Sequence, residues 1–102
     1  MKLMTKEIEK KIPALYAQDG KGMEATVHVK FFFPIGCATW LATEYDPEQR
    51  LFFGWAMLQP GCGELGYFSL DELESVSRGG VKVERDLYFG TKTLKEAIAD
   101  YQ

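Results

Sequence analysis

The sequence predicts an α+β domain, in which a curved antiparallel sheet of about four or five strands is packed with two or three short helices. Three observations indicate this class: helical periodicity at both ends of the chain, strand-like segments joined by short turns, and a strand that leads directly into a capped helix. Strands joined by short turns pair antiparallel, because parallel pairing needs a long crossover. With 102 residues, 46% of them hydrophobic, we expect a single domain over residues 1–102.

The first predicted elements are a short helix and a half-buried strand. Apolar residues recur at helical spacing from about residue 5 to residue 12, Thr5 suits the N-cap position, and Pro13 ends the pattern. Residues 25–33 alternate between apolar and more polar side chains and stop at Pro34. This alternation predicts a strand with one face in the core.

A central hairpin follows, formed by strands at residues 38–45 and 50–58. The connection at residues 46–49 contains Pro47 where a type I turn favours proline. Residues 51–57 are apolar on both faces of the second strand. Either both faces are covered within the chain, or one forms an interface with a partner or a second copy.

The next segment predicts a strand at residues 64–68 that turns directly into a helix at residues 70–77. Ser69 and Glu72 form the S-x-x-E pattern of a capping box. The glycines at residues 79–80 suit the left-handed cap that ends a helix. The predicted buried face of this helix consists of Leu70, Leu73 and Val76.

A strand at residues 86–90 and a helix at residues 94–101 complete the prediction. Thr93 and Glu96 repeat the capping-box pattern at the start of that helix. The predicted inward face of the last helix consists of Leu94, Ile98 and Tyr101.

Charge is distributed unevenly although the net charge is only −3. Residues 1–33 contain six Lys against four acids, residues 34–76 one Arg against seven acids, and residues 77–102 five bases against four acids. An acidic middle does not suit wrapping duplex DNA, whereas it suits a basic protein partner. The candidate partner-binding residues are Asp71, Glu72 and Glu74, with Glu44 and Glu48 as a second patch. The alternative is solvated surface charge, with Asp71 and Glu72 stabilising a helix N-terminus.

A second set of residues suggests a single-stranded nucleic-acid site. Lys30 and Phe32 lie on the less apolar face of the strand at residues 25–33. There an aromatic ring next to a positively charged side chain offers a platform on which a nucleobase can stack. Lys6 and Lys10 of the first helix would supply further positive charge. Ordinary packing of Phe32 against a helix is the alternative.

A third possibility is an enzyme that uses His28, the single histidine of the sequence. The base would need a nucleophile, Cys37 or Cys62, or a carboxylate partner. The two cysteines form no close ligand pair, so the spacing does not favour a structural zinc site, and we expect no metal or cofactor.

The sequence also bears on location. The N-terminal segment is charged throughout, and the longest uncharged runs, residues 31–43 and 51–63, are shorter than a membrane span. We therefore expect a cytoplasmic protein with reduced thiols and no membrane contact.

Blocks of residues in a fixed order run through nearly the whole chain, at residues 2–7, 13–16, 29–32, 39–40, 43–46, 51–54, 64–74 and 84–87. In these blocks the chain resembles a bacterial family known as domain of unknown function 2958. Residues 35–37 and 59–63 are less typical, so the resemblance assigns no function to either cysteine. No catalytic residue is transferred by it.

The resemblance implies a product of a plasmid, phage or integrative element, encoded near genes for DNA handling and antirestriction. The leading hypothesis is a non-enzymatic accessory protein that binds a macromolecular partner, as an anti-defence inhibitor of the anti-CRISPR or antirestriction type with an acidic surface. The first alternative is a single-stranded nucleic-acid-binding accessory protein in plasmid maintenance or transfer. The second is a small hydrolase using His28 with a cysteine or carboxylate. A homo-oligomer is compatible with each.

Overall fold

A computed structural model of the chain describes residues 2–101. Within that range the α-helices are α1 (Lys6–Lys11), α2 (Leu70–Ser75) and α3 (Leu94–Ala99). The strands are β1 (Thr26–Val27), β2 (Val29–Phe32), β3 (Thr39–Asp46), β4 (Leu51–Met57), β5 (Gly63–Ser69), β6 (Ser77–Arg78), β7 (Val81–Lys82), β8 (Glu84–Arg85) and β9 (Lys92–Thr93).

Five of these strands form one open, curved antiparallel sheet in the order β5-β4-β3-β2-β8. The predicted central hairpin is present as β3 and β4, and the predicted strand at residues 64–68 is β5. The predicted strand at residues 25–33 is interrupted at His28, so β1 leaves the main sheet and pairs with β9. The α+β prediction, including the strand and helix numbers, is confirmed.

The sheet has an apolar core on each face, because successive side chains of a strand point to opposite faces. The larger core lies against α1 and α2 and includes Phe31 and Phe52, whose ring centroids are 5.3 Å apart. The second core lies against α3, where Leu41 and Trp55 pack with Leu94. The same chain therefore covers most of strand β4 on both faces, which accounts for its apolar sequence, while Phe53 stays partly exposed.

Each helix begins at the capping residue that the sequence predicts. Thr5 Oγ1 accepts a first-turn N–H bond in α1 (3.2 Å), and Ser69 Oγ accepts from the amide of Glu72 in α2 (3.2 Å). At α3 both halves of the capping box are present between Thr93 and Glu96. Such caps contribute about 1 kcal/mol each, which matters for helices of six residues.

The predicted strand at residues 86–90 is wrong. The strand lies earlier, at Glu84–Arg85, and the chain then turns. Asp86 causes the turn: its Oδ1 accepts from the amide of Tyr88 (2.9 Å), and its carbonyl oxygen accepts from the amide of Phe89 (3.5 Å). An Asp side chain bonded to the backbone two residues on competes with strand pairing.

The predicted role of Gly79 and Gly80 as the cap of α2 is also wrong. Helix α2 already ends at Ser75, and the glycines form the two-residue turn between β6 and β7. Their φ angles of +60° and +85° match the hairpin turn in which both central residues have positive φ. Glycine is needed there because other side chains rarely adopt this backbone conformation.

Strand β3 contains a β-bulge at Thr43 that sets the direction of the side chains after it. Gly54 pairs with the residue before Thr43, and Phe53 pairs with the residue after it. Thr43 Oγ1 also donates to the carbonyl oxygen of Phe53 (3.0 Å). The extra residue shifts the alternation, so Glu44 faces the α3 side while Tyr45 enters the larger core.

Glycine at position 54 is required by the close approach of β3. A Cβ there would lie 1.9 Å from the carbonyl oxygen of Leu41, whereas at Gly66, its partner on β5, the same atom meets open space. We expect Gly54→Ala to lower the free energy of unfolding by about 2 kcal/mol or more, since the backbone must move. Gly66→Ala is the matched control and should change it by less than about 0.5 kcal/mol. Denaturant unfolding of both variants tests this, and equal effects would contradict the close approach.

Candidate functional site

Five carboxylates lie at one end of the sheet, where the β3–β4 turn meets the start of α2. The strand register places Asp46 opposite Leu51 and Leu51 opposite Ser69. The amide of Leu70 donates to the carbonyl oxygen of Arg50 (2.9 Å), which joins the turn to the helix. We call this region the acidic end, and its members are Asp46, Glu48, Asp71, Glu72, Glu74 and the single base Arg50.

Arg50 neutralises part of the acidic end. Its Nε lies 2.7 Å from Asp71 Oδ1, and its Nη2 lies 2.6 Å from Glu74 Oε1. The hydrogen bond that Arg50 donates to Asp71 raises the pKa of the Arg50 guanidinium, which stays positive wherever the protein is folded. Within residues 2–101, no ion pair involves Glu48 or Glu72. One base against five acids leaves four uncompensated negative charges.

Glu44 does not belong to this exposed surface, contrary to the sequence-based expectation. The bulge at Thr43 directs its side chain under a loop on the α3 face, where it is 4% exposed. Its Oε1 accepts from the amide of Tyr16 (2.8 Å), and its Oε2 accepts from the amide of Gln18 (2.7 Å). A buried carboxylate is stable only with such donors, so Glu44 anchors the loop.

The anchored segment is residues 13–25, which we call the cover loop. At its start, the amide of Tyr45 donates to the carbonyl oxygen of Pro13 (2.9 Å). At its end, the amide of Leu94 donates to the carbonyl oxygen of Ala25 (2.9 Å). The cover loop is therefore tied to β3 at one side and to α3 at the other.

The side chain of Gln18 fastens the middle of the cover loop. Its Nε2 donates to the carbonyl oxygens of Thr26 and Thr43, both at 2.9 Å, and its Oε1 accepts from the amide of Thr26 (2.7 Å). Both N–H groups and the carbonyl of this buried amide are thus in use.

Tyr16 is held in a strained conformation at the edge of the cover loop. Its φ of 72° is rare for a bulky residue and costs about 1–3 kcal/mol. Its side chain is 68% exposed, and its hydroxyl accepts a hydrogen bond from the hydroxyl of Tyr67 (3.3 Å). This bond raises the pKa of Tyr67, whose hydroxyl is neutral at physiological pH.

An open cavity of about 380 Å³ lies between the cover loop and strands β4 and β5. Phe53 and Tyr67 form two of its walls, with ring centroids 5.0 Å apart and planes at 66°. Tyr16 forms a third, and Glu44 and Asp19 contribute carboxylates. Among the described residues that line it there is no Lys, Arg or His. We call this the tyrosine cavity; its volume lies within the range of small-molecule sites.

No local pattern in the sequence marks the residues of the tyrosine cavity. Tyr16, Gln18, Phe53 and Tyr67 come from separate segments and meet only because of the bulge and the cover loop. The apolar character of residues 51–57 on both faces was the one available signal.

Lys30 and Phe32, predicted for nucleic acid, lie on the α3 face of the sheet. The Nζ of Lys30 is 6.0 Å from the ring centroid of Phe32 and 5.4 Å from that of Tyr101. The same Nζ lies 3.8 Å from Asp86 Oδ2, so an acid already faces this base.

The lysines predicted to extend that site are on the other side of the sheet. Lys6 and Lys10 belong to α1, whose Ile8 packs against the larger core. Lys6 lines a groove with Asp86, the acid that faces Lys30, but Lys10, Lys30 and Phe32 do not line that groove, so the structure does not group the four predicted residues at one site.

His28 lines a groove between α1 and the turn after β8, together with Glu7 and Asp86. Burial lowers its pKa. Cys37 and Cys62 lie in the exposed loops after β2 and β4, at the opposite end of the sheet. The length of β2, about 13 Å, separates His28 from the loop with Cys37. Of the catalytic partners that the sequence suggests for His28, only carboxylates lie in its groove, which Lys6, Lys11 and Arg85 also line. Within residues 2–101 no three His, Cys, Asp or Glu side chains are grouped to hold a metal ion.

Residues 3–101 match the family model described as "Protein of unknown function (DUF2958)". The chain belongs to this family. The match confirms the resemblance suggested by the sequence blocks and covers nearly the whole chain. Searches of curated proteins and of solved structures found no match. Within the described residues of this DUF2958 protein, no helix has the length and apolar character to cross a membrane.

The anchoring role of Glu44 in this DUF2958 protein can be tested by Glu44→Gln. The amide nitrogen of Gln would face a backbone N–H and leave that buried donor unsatisfied. We expect the free energy of unfolding to fall by about 2–4 kcal/mol. Glu64→Gln, at an exposed position on β5, is the control. Thermal or denaturant unfolding measures both, and a Glu44→Gln variant as stable as the control would show that Glu44 anchors nothing.

The lowered pKa of His28 predicts a pH dependence of stability. Because burial lowers the pKa of His28 below the ordinary histidine value of 6.5, the unfolded chain takes up the proton first as the pH falls. The contribution of neutral His28 to the free energy of unfolding is fully present above about pH 6.5 and is lost as the pH falls below that value. In denaturant titrations between about pH 7 and 5, His28→Gln should remove part of this slope. An identical slope in both proteins would contradict the prediction.

Proposed function

We propose that this DUF2958 protein is a non-enzymatic accessory protein that binds a basic surface of a macromolecular partner through its acidic end. The observation that supports this proposal is the convergence of five carboxylates around one arginine, on a turn and a helix that the register places side by side. Four uncompensated charges in one region create a local negative field.

The geometry of the acidic end suits recognition. The tight β3–β4 turn and the capped start of α2 hold the carboxylates on a rigid scaffold, so little conformational entropy is lost on binding. Arg50 fixes two of the side chains, Asp71 and Glu74, in a defined orientation. Glu48 and Glu72 stay exposed beside them and are available to a basic partner.

The partner that fits this surface is a protein with a basic nucleic-acid-binding face. Such faces present clusters of Lys and Arg to phosphates, and an acidic protein surface can occupy them instead. Together with the mobile-element context that the family resemblance implies, this favours an anti-defence inhibitor of the anti-CRISPR or antirestriction type acting in the cytoplasm. The mobile-element context rests on that resemblance alone.

Charge reversal at Glu48 and Glu72, two exposed acids of the acidic end that form no ion pair within residues 2–101, tests the proposal. We expect Glu48→Lys/Glu72→Lys to slow association with the basic partner roughly tenfold at low salt, because electrostatic steering is reversed. The control Glu64→Lys/Glu84→Lys changes the net charge equally at exposed positions outside the acidic end. Partners captured from a host lysate by the wild-type chain are identified, and their binding rates are then measured across a salt series.

The two double variants separate a specific surface from general acidity. Loss of binding in Glu48→Lys/Glu72→Lys, with binding retained in the control and similar melting temperatures, supports the acidic end. Equal loss in both variants, or partners that are acidic and insensitive to salt, would overturn the proposal.

A further inference from the structure

We propose that the tyrosine cavity binds a positively charged side chain, an arginine or lysine, presented by a protein partner. This inference rests on the proposed function, because it takes the basic partner of the acidic end as the source of the charged group. It assigns a second contact to that partner, on the α3 face of the sheet.

The walls of the cavity have the chemistry of a cation site. Phe53 and Tyr67 stand edge to face at 66°, and Tyr16 is linked to Tyr67 through the hydroxyl–hydroxyl bond of 3.3 Å. Aromatic faces carry negative electrostatic potential and attract ammonium and guanidinium groups. Three rings around one cavity therefore favour a cation over an anion.

The floor of the cavity offers acceptors and few donors. Each oxygen of Glu44 accepts one backbone N–H, and a carboxylate has about four acceptor positions, so about two remain. The donors of Gln18 are both used within the protein. A ligand that reaches the floor must therefore donate hydrogen bonds, as guanidinium and ammonium groups do.

The charge of the cavity is not balanced by the chain. Glu44 and Asp19 both line it, neither takes part in an ion pair within residues 2–101, and no basic residue of that range lines it. An anionic ligand would meet two carboxylates with no compensating base. A cationic ligand would supply the missing charge.

The position of the cavity connects it with the acidic end. Phe53 lines the cavity, and Leu51, two residues along β4, pairs with both Asp46 and Ser69 at the acidic end. Two residues of strand span about 7 Å. One basic partner can therefore contact the acidic end and place a side chain in the cavity at the same time.

The strain at Tyr16 fits the same role. An exposed tyrosine with φ of 72° is unfavourable for folding, yet Glu44 holds its amide in place and Tyr67 holds its hydroxyl. Strained residues held by their surroundings cluster at binding sites, where they preorganise a contact.

The test uses small probes and the whole chain, followed by NMR or calorimetry. N-acetyl-arginine amide and N-acetyl-lysine amide should bind with dissociation constants of about a millimolar. N-acetyl-citrulline amide, a neutral isostere of the arginine probe, should bind at least about tenfold more weakly. Equal binding of the arginine and citrulline probes, or no binding of either cation, overturns the proposal.

Variants locate the binding and identify its source. Tyr67→Leu should weaken arginine-probe binding about fivefold, while the control Tyr88→Leu, at a 93% exposed position away from the cavity, should not. Asp19→Asn should also weaken the binding of the arginine probe. An unchanged affinity of Tyr67→Leu for the arginine probe would show that the probe does not bind in the tyrosine cavity. Spermidine binding more than about tenfold tighter than the arginine probe would indicate a free amine and overturn the protein source.

The two proposals can fail separately. Probe binding that depends on Tyr67, together with partner capture that ignores Glu48→Lys/Glu72→Lys, keeps the cavity and removes the acidic end. Partner capture that depends on the acidic end, without binding of either cationic probe, keeps the acidic end and removes the cavity.

Discussion

The carboxylate of Glu44 accepts backbone hydrogen bonds from Tyr16 and Gln18, and the arrangement of the α3 face depends on these two bonds. They hold the cover loop over the sheet and keep Tyr16 at an unfavourable φ. They are possible because the bulge at Thr43 turns Glu44 away from the larger core. Bulge, buried carboxylate and loop therefore form one structural unit, since none of the three is favourable without the other two.

Acidic side chains have two different roles in this protein, and burial determines which role each one has. Glu44 is 4% exposed and works as an internal acceptor for backbone donors. Asp71 and Glu74 are exposed and contact Arg50 across a solvent-facing surface, where ion pairs contribute little to stability. The acidic segment of the sequence thus supplies one structural anchor, Glu44, and one charged surface, the acidic end. The two are close together, because Glu44 and Asp46 lie two residues apart on β3.

The fold was largely predictable because its signals are local. Capping residues mark all three helices, Pro47 marks the central turn, and alternation marks the strands. Where prediction failed, local backbone geometry decided the outcome. Asp86 turned a strand-like segment into a turn, and two glycines that suit a helix cap instead joined two short strands.

The candidate sites were less predictable, since they depend on residues distant in sequence. The sequence predicts an exposed Glu44, because nothing in it shows the bulge one residue earlier. Tyr16 and Tyr67 are 51 positions apart, and their contact follows from the path of the cover loop. The cluster of Asp71, Glu72 and Glu74 was visible because its members share one helix, but the pairing with Arg50 was not.

Native-state hydrogen exchange at the amides of Tyr16 and Gln18 tests the central claim most directly. If Glu44 anchors the cover loop as part of the folded unit, both amides should exchange only on global unfolding, at rates like those of the central strands. Exchange of these two amides at the rate of an unstructured peptide, with the central strands still protected, would contradict the account.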